Sequence, residues 1–369
     1  MVFQNAYAIL NKKKRCGQTI VANIFYKSKP IIGLDINKAG VRVMSVDMAR
    51  MTVHGYGAIE LDPAKDESDD RAEYLCSKIN QMFEKNIVGR LGSNRVVLGL
   101  PTTKTYARTF ALPIKQENKI EEAVNLEVEQ YVPMPLDSLY VDHQIIKRGK
   151  ENLSVLMCAV PQKIVDEQLA IVESCGIEVA MIEPSINAVA RLLERTKEGA
   201  MPTVIVDIGP ATTDIAILDA AIRVTGGLNI GGNTLTLDIA KKLNVPLETA
   251  HQFKVLNGLN TGPRQEKITE ALKPSLQRII GEIQKVIRYY TDRFPDESRL
   301  EQVLIVGSGS SVPGLGEYFT GELTLPARVA SPWQSLNFNN LAPPAKQLRP
   351  RFMTAAGLSL VRAEEIWHD

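Results

Sequence analysis

One device occurs twice in this chain, half a sequence apart, and it limits the possible folds more than any other feature. Asp35-Ile36-Asn37-Lys38-Ala39-Gly40-Val41-Arg42-Val43 and Asp207-Ile208-Gly209-Pro210-Ala211-Thr212-Thr213-Asp214-Ile215 both carry it. Each follows an apolar run (Ile31, Ile32 and Leu34; Val204, Ile205 and Val206) that reads as a strand entering a core. Each then places an Asp, crosses a short turn of small or polar residues, and returns as a second apolar run. A strand, tight turn and strand with an Asp at the first strand's end suits the gripping of phosphate and its metal ion. Turn N–H groups face the phosphate, small side chains permit close approach, and the Asp holds Mg²⁺ directly or through water. Two copies imply two similar lobes closing on one nucleotide.

Composition narrows the class. At 369 residues the chain is too long for one core, so two domains or lobes are expected. Its 44% hydrophobic and 23% charged content is that of a soluble globular protein. A net charge of +1 gives no case for nucleic acid as a partner. The cysteines (Cys16, Cys76, Cys158, Cys175) form no Cys-x-x-Cys pair, which reads as free thiols in a reducing cytoplasm. Four scattered histidines (His54, His143, His251, His368) argue against a His/Cys metal site. No stretch reaches the roughly 18 apolar residues that span a bilayer. Lys12-Lys13-Lys14-Arg15 has no apolar segment after it, so a signal peptide is rejected and residues 1–29 read as a disordered extension or a mis-assigned start. Attraction of that basic run to an acidic membrane face is the weaker alternative.

The rest of the chain alternates strands with helices, the α/β pattern. Short strands are expected over 31–61, an acidic loop over Asp62–Asp70, then a helix on which Tyr74, Leu75, Ile79, Met82 and Phe83 recur. Arg95–Leu100 reads as a strand. An acidic helix is expected from about Glu117 to Tyr131, with Val124, Val128 and Val132 as one stripe, ended by Pro133 and Pro135. Strands near Tyr140–Ile146 and Val155–Val160 flank a charged turn, and a helix over Gln162–Cys175 stops at Gly176. Thr203–Ile208 opens the second lobe, whose long helix Ser275–Phe294 carries a continuous apolar face.

Two glycine segments complete the pattern. Gly226-Gly227-Leu228-Asn229-Ile230-Gly231-Gly232-Asn233-Thr234 leads into a helix near Leu235 whose first N–H groups suit a phosphate. Val303 to Val306 is a strand entering Gly307-Ser308-Gly309-Ser310-Ser311-Val312-Pro313-Gly314, where glycines let an adenine or ribose lie against the backbone. Such loops are turns more often than ligand sites when met singly; the order of all four segments is the informative feature.

That order resembles the actin, Hsp70 and sugar-kinase superfamily, and within it the FtsA-like branch. In this resemblance 33–46 and 204–218 are the two phosphate motifs, 303–315 the adenosine motif, and Glu183–Ala190 and Thr354–Ser359 the connecting helices. Leu98-Gly99-Leu100-Pro101, Arg108, Leu112-Pro113 and Glu127-Val128-Glu129-Gln130-Tyr131-Val132-Pro133-Met134-Pro135-Leu136 narrow it to the PilM family of type IV pilus assembly proteins. The resemblance covers about residues 30–362. It implies a two-lobed actin-like (ribonuclease-H-like) α/β fold with a nucleotide cleft between lobes and an FtsA-type inserted subdomain. The implied divisions are lobe I over 30–93 and 154–200, the inserted peptide-binding subdomain over 94–153, lobe II over 201–362, and a tail over 363–369.

The function so implied is a cytoplasmic ATP-binding scaffold, at most a weak ATPase, that binds the cytoplasmic N-terminal tail of an inner-membrane PilN-like protein and meets the membrane only through it. Self-association is a further implied property. ATP and Mg²⁺ are the implied cofactors, with Asp35 and Asp207 on the metal side. Gly209, Thr212, Thr213 and Asp214 match the second phosphate turn; Gly231, Gly232, Gly307, Ser308, Gly309 and Gly314 match the nucleotide loops; Lys254 falls on the ribose or adenine side. The first turn departs from the family's pattern, with Asn37, Lys38 and Ala39 in place of glycine and hydroxyl residues, and Arg42 where Lys is common. Where the family has Glu-x-x-Lys, this chain has His251-Gln252-Phe253-Lys254. A small-molecule kinase using a cleft Asp as base and an FtsA-like filament former are the alternatives. No Ser-His-Asp or Cys-His set suggests a nucleophile.

Overall fold

The computed structural model describes residues 30–62, 65, 70–260, 262, 265–295, 299–362 and 366. The expected extension over 1–29 and most of the tail over 363–369 lie outside them. The chain divides into two compact units. The first takes the described residues up to Val189 with Leu336–Pro343 and those from Thr354 onward; the second takes Ala190–Ser335 and Pro344–Met353.

The first unit is built on a six-stranded sheet of β1 (Ile32–Asn37), β2 (Gly40–Asp47), β3 (Thr52–Glu60), β4 (Ile87–Gly89), β5 (Arg95–Leu100) and β9 (Glu178–Pro184), in the order β4-β3-β2-β1-β5-β9. β1 to β4 are antiparallel neighbours, whereas β5 runs parallel to both β1 and β9. A strand beside parallel partners is covered on both faces and so reads as an unbroken apolar run; every residue of Arg95–Leu100 is buried. Helices α1 (Arg71–Lys85) and α3 (Gln162–Ser174) cover the sheet, and Leu75, Ile79, Met82, Val165, Leu169 and Val172 join its core. Gly176, at φ +76°, supplies the left-handed residue after α3 that a side chain resists.

Between β5 and α3 lies a smaller assembly with its own core. β6 (Tyr106–Pro113) and β7 (Leu139–Arg148) each pair antiparallel with β8 (Asn152–Pro161). Helix α2 (Ile120–Tyr131) sets Val124 and Val128 against Phe110, Leu112, Val155 and Met157. The acidic helix expected from Glu117 is therefore shorter, because Ile114–Lys119 forms a 3₁₀ stretch with no buried residue to hold an α-helical stripe.

The second unit orders its strands β14-β13-β10-β11-β12, from β10 (Thr203–Ile208), β11 (Thr213–Leu218), β12 (Ile222–Leu228), β13 (Gln302–Val306) and β14 (Ala327–Val329). Its helices include α5 (Gly232–Leu243), α6 (Leu247–Leu256), α7 (Gln265–Arg293) and α8 (Leu315–Leu323); α4 (Ser185–Arg195) precedes β10 and α9 (Met353–Leu358) follows. α7 begins ten residues before the expected Ser275 and carries Pro274 inside it. Ile268, Ala271 and Leu272 continue the stripe of Leu276, Ile279, Ile280 and Ile283 into the core. Burial along one face outweighs the local cost of the proline.

Candidate functional site

In the first hairpin Asn37 faces Gly40 across the pair, so Lys38 and Ala39 make the connection. Asp35 faces Arg42 in the same register, and both side chains are buried, 5% and 1% exposed. Asn37 organises the turn: its Nδ2 donates to Asp35 Oδ2 at 2.9 Å while its Oδ1 accepts the Ala39 N–H at 2.9 Å. Arg42 Nη1 reaches the same Oδ1 at 3.5 Å, and Nη2 donates to Glu60 Oε1 at 3.1 Å. Burial pushes the Asp35 carboxyl up to about 6, against the opposing pull of the Arg42 charge and the Asn37 hydrogen bond. Lys38 is exposed. The hairpin thus meets part of its own needs: the Ala39 N–H, expected to face a phosphate, is held by Asn37.

The second hairpin sets Asp207 opposite Asp214 and Ile208 opposite Thr213. Its turn closes through the Gly209 N–H to the Thr212 carbonyl at 2.8 Å. The glycine loop lies directly on it. The Gly232 N–H donates to the Gly209 carbonyl at 2.8 Å, the Asn233 N–H to the Pro210 carbonyl at 2.9 Å, and the Thr213 hydroxyl to the Ile230 carbonyl at 2.7 Å. A Cβ on Gly231 would stand 2.7 Å from the Ala211 nitrogen, so glycine is required there for the loops to meet. From the other side β13, parallel to β10, delivers Gly307 at φ +84°. A Cβ on it would strike the Asp207 carboxylate and the Ile208 carbonyl, and one on Gly309 would strike the Ile208 side chain. Ser308 opens the 3₁₀ turn Ser308–Ser310 that follows.

Backbone packing thus brings Asp207, Gly209, Thr212, Thr213, Asp214, Gly231, Gly232, Gly307, Ser308 and Gly309 together. Gly314 stands apart, at φ +79° against Leu259 and Asn260 after α6. Lys254 joins the group: although it sits on the second helix after the glycine loop, it is 5% exposed and its Nζ donates to the Gly232 carbonyl and to Thr236 Oγ1, both at 2.7 Å. Burial, then the nearby Arg351 charge, lowers its ammonium to about 8. Arg351 was not singled out from the sequence. It lies on the 3₁₀ turn Arg349–Phe352, which packs on Ser308–Ser310, and no local pattern nearly a hundred residues from Lys254 signals that meeting.

Among the described residues no group of three or more His, Cys, Asp or Glu side chains forms a ready-made metal cage. A magnesium ion held by Asp35 or Asp207 would draw its other oxygens from phosphate and water, the usual habit of this ion. The donor set fits that arrangement, since a buried carboxyl pushed up to about 6 gains from a nearby dication.

The smaller assembly carries the segment that narrowed the sequence resemblance. α2 ends at Tyr131, Val132 is buried, and Leu136–Ser138 turns the chain into β7. The Arg108 guanidinium lies 3.1 Å from the centre of the Tyr131 ring, with its Nε 3.6 Å from Glu127 Oε2. Leu126 and Tyr131 are 56% and 50% exposed on this helix.

Comparison with known proteins places these features. The family described as "Type IV pilus assembly protein PilM" matches residues 33–363. A solved "PilM-PilN type IV pilus biogenesis complex" contains a chain with TM-score 0.75 and 21% identity, over 90% of this chain and 98% of that one. The ethanolamine utilization protein EutJ from Carboxydothermus hydrogenoformans follows with TM-score 0.54 and 17% identity, over 89% and 88% of the two chains. The cell division protein FtsA of Neisseria meningitidis is 27% identical over 215 residues, 51% of this chain and 49% of its own. The chain spans about half the length of the curated relatives it matches. The fold is the actin-like α/β fold expected from the sequence. Among the described residues no helix is long and apolar enough to cross a membrane. The chain belongs to the type IV pilus assembly protein PilM family.

Proposed function

We propose that this chain is a cytoplasmic, ATP-binding adaptor of type IV pilus assembly, which binds the cytoplasmic tail of a PilN-like inner-membrane protein and is peripheral to the membrane through it. The single observation that carries the nucleotide half is the Asp207 hairpin: its turn, the glycine loop and the Gly307 loop interlock, with Gly231 and Gly307 at spacings that leave no room for a Cβ. ATP is the ligand, its phosphates at the two acidic hairpins and its magnesium on the side of Asp35 and Asp207. Mg²⁺ supplies charge neutralisation of the phosphates; the protein orients them. Asn37 must release Asp35 and the Ala39 N–H before the first hairpin engages, so it tunes affinity. The family-specific segment over 94–136 favours an adaptor over a small-molecule kinase, which would have no need of it.

The partner half rests on the assembly of β6, α2, β7 and β8, whose separate core and exposed Leu126 and Tyr131 suit an extended peptide taken through main-chain hydrogen bonds and side-chain pockets. Fluorescence anisotropy of a labelled PilN-like tail peptide, titrated with the protein with and without ATP·Mg²⁺, tests it. Saturable binding whose affinity changes with ATP is expected. No peptide binding together with phosphorylation of a sugar or organic acid would replace the adaptor with the kinase. Sedimentation in the same buffers reports the self-association that a filament former requires.

A further inference from the structure

A cavity of about 690 Å³ lies within the second unit, at the C-terminal end of α7. That volume is in the range of pockets that take a small molecule. Gln284, Ile287, Arg288 and Thr291 form one wall, because spacings of three and four residues place them on one face of α7. Arg299 and Leu300, just before β13, and Leu323 to Leu325, at the end of α8, form the other. Leu300 precedes β13 whereas Gly307 follows it, so the length of that strand separates the cavity from the Gly307 loop. The lining divides by chemistry. Ile287, Tyr290, Phe294, Leu300, Leu323 and Leu325 give it an apolar wall that is continuous with the core of the unit. The hydroxyl hydrogens are already used: Tyr290 donates to Asp219 Oδ2 at 2.9 Å, Thr291 to the Ile287 carbonyl at 2.8 Å, and Thr324 to the Leu323 carbonyl at 2.7 Å. The charged donors are the exposed guanidinium groups of Arg288 and Arg299. Neither makes an ion pair among the described residues, and no carboxylate is among the described lining residues.

We propose that this cavity binds a small amphiphilic anion, whose charged head is held by Arg288 and Arg299 and whose apolar body lies against Ile287, Phe294, Leu300 and Leu325. The site is independent of the nucleotide and of the tail peptide. Two unpaired cations beside an apolar wall are complementary to a ligand with one anionic end and one apolar end. A neutral apolar molecule would leave the guanidinium forks without an acceptor, and a bare anion would leave the wall wet. Each fork presents donors that match a carboxylate or a phosphate ester, so the head has two possible chemistries.

Calorimetry on the full chain tests this, using octanoate, octyl phosphate, octanol and inorganic phosphate against wild type, Arg288→Gln, Arg299→Gln and Thr291→Trp. Wild type is expected to bind at least one of the two octyl anions more tightly than octanol or phosphate alone. A preference for octanoate assigns a carboxylate head, and one for octyl phosphate a phosphate ester. Each arginine variant is expected to weaken that anion by about tenfold, the loss of a charge-assisted hydrogen bond. Thr291→Trp places an indole in the cavity from an exposed position on α7 and is expected to abolish binding with the thermal midpoint unchanged. A wild type that binds neither octyl anion, or binds octanol as tightly, overturns the proposal. So does an affinity unchanged in both arginine variants, or one that survives Thr291→Trp intact. Flotation with phosphatidylglycerol vesicles separates a free ligand from a bilayer: vesicle binding through the two arginines, without binding of either soluble anion, would replace the cavity with a charged surface.

Discussion

Replacing Arg42 with methionine is expected to lower the unfolding free energy at pH 7.5, because it removes the charge that holds the buried Asp35 carboxyl down. Arg42 is 1% exposed, faces Asp35 across the β1–β2 pair, and sends its fork outward to Glu60, itself 62% exposed in its side chain. The Glu60 contact alone would be worth little, since half-solvated pairs are screened. The larger effect comes from Asp35, whose only described opposing influences against burial are Arg42 and Asn37. Without the guanidinium its carboxyl moves further up and takes a proton rather than remain a lone buried charge. The loss should therefore be smaller at pH 5 than at pH 7.5. Urea unfolding midpoints at the two pH values check this; a change below about 1 kcal/mol at pH 7.5 would mean that the cross-strand pair carries no stability.

Asp35→Asn is expected to act in the opposite direction. The folded Asp35 titrates near 6 and the ordinary value is 3.8. Between these values the folded chain binds more protons than the unfolded one, so stability falls as pH rises from about 4 to about 6 and stays reduced above that. A shift of this size corresponds to about 3 kcal/mol at neutral pH. The isosteric amide removes the penalty, so the variant should be more stable than wild type at pH 7.5, with the difference disappearing near pH 4. Thermal unfolding across that range reads it directly. The same substitution removes the carboxylate assigned to magnesium, and a gain in stability with a loss of ATP·Mg²⁺ binding is the trade expected when a charge is kept buried for a ligand. A variant no more stable than wild type at pH 7.5 would show that the carboxyl is well accommodated when ionised.

These two residues also show where sequence reading reaches its limit. Strands Arg95–Leu100 and Thr203–Ile208 are legible to the residue because apolar runs between polar breaks have few alternative readings. The α3 stop before Gly176 is legible because few residues besides glycine adopt its φ of +76° easily. The start of α7 is not, since Pro274 reads as a boundary until the core shows why Ile268 and Leu272 hold the preceding turns. The acidic hairpins and their glycine loops stand out by repetition. That Arg42 opposes Asp35 needs strand register, and that Asn37 occupies the Ala39 N–H needs the turn's geometry. The approach of Arg351 to Lys254 needs the tertiary fold, since nothing around either residue in sequence signals that meeting.

Calorimetric titration of ATP into wild type and Asp207→Asn, each with magnesium and again with EDTA, tests the central claim most directly. The account predicts wild-type binding that requires magnesium and is lost or weakened by about tenfold or more in the variant. ATP binding of equal strength in all four titrations would contradict it, because the nucleotide would then be held without the acidic hairpins on which the reading depends.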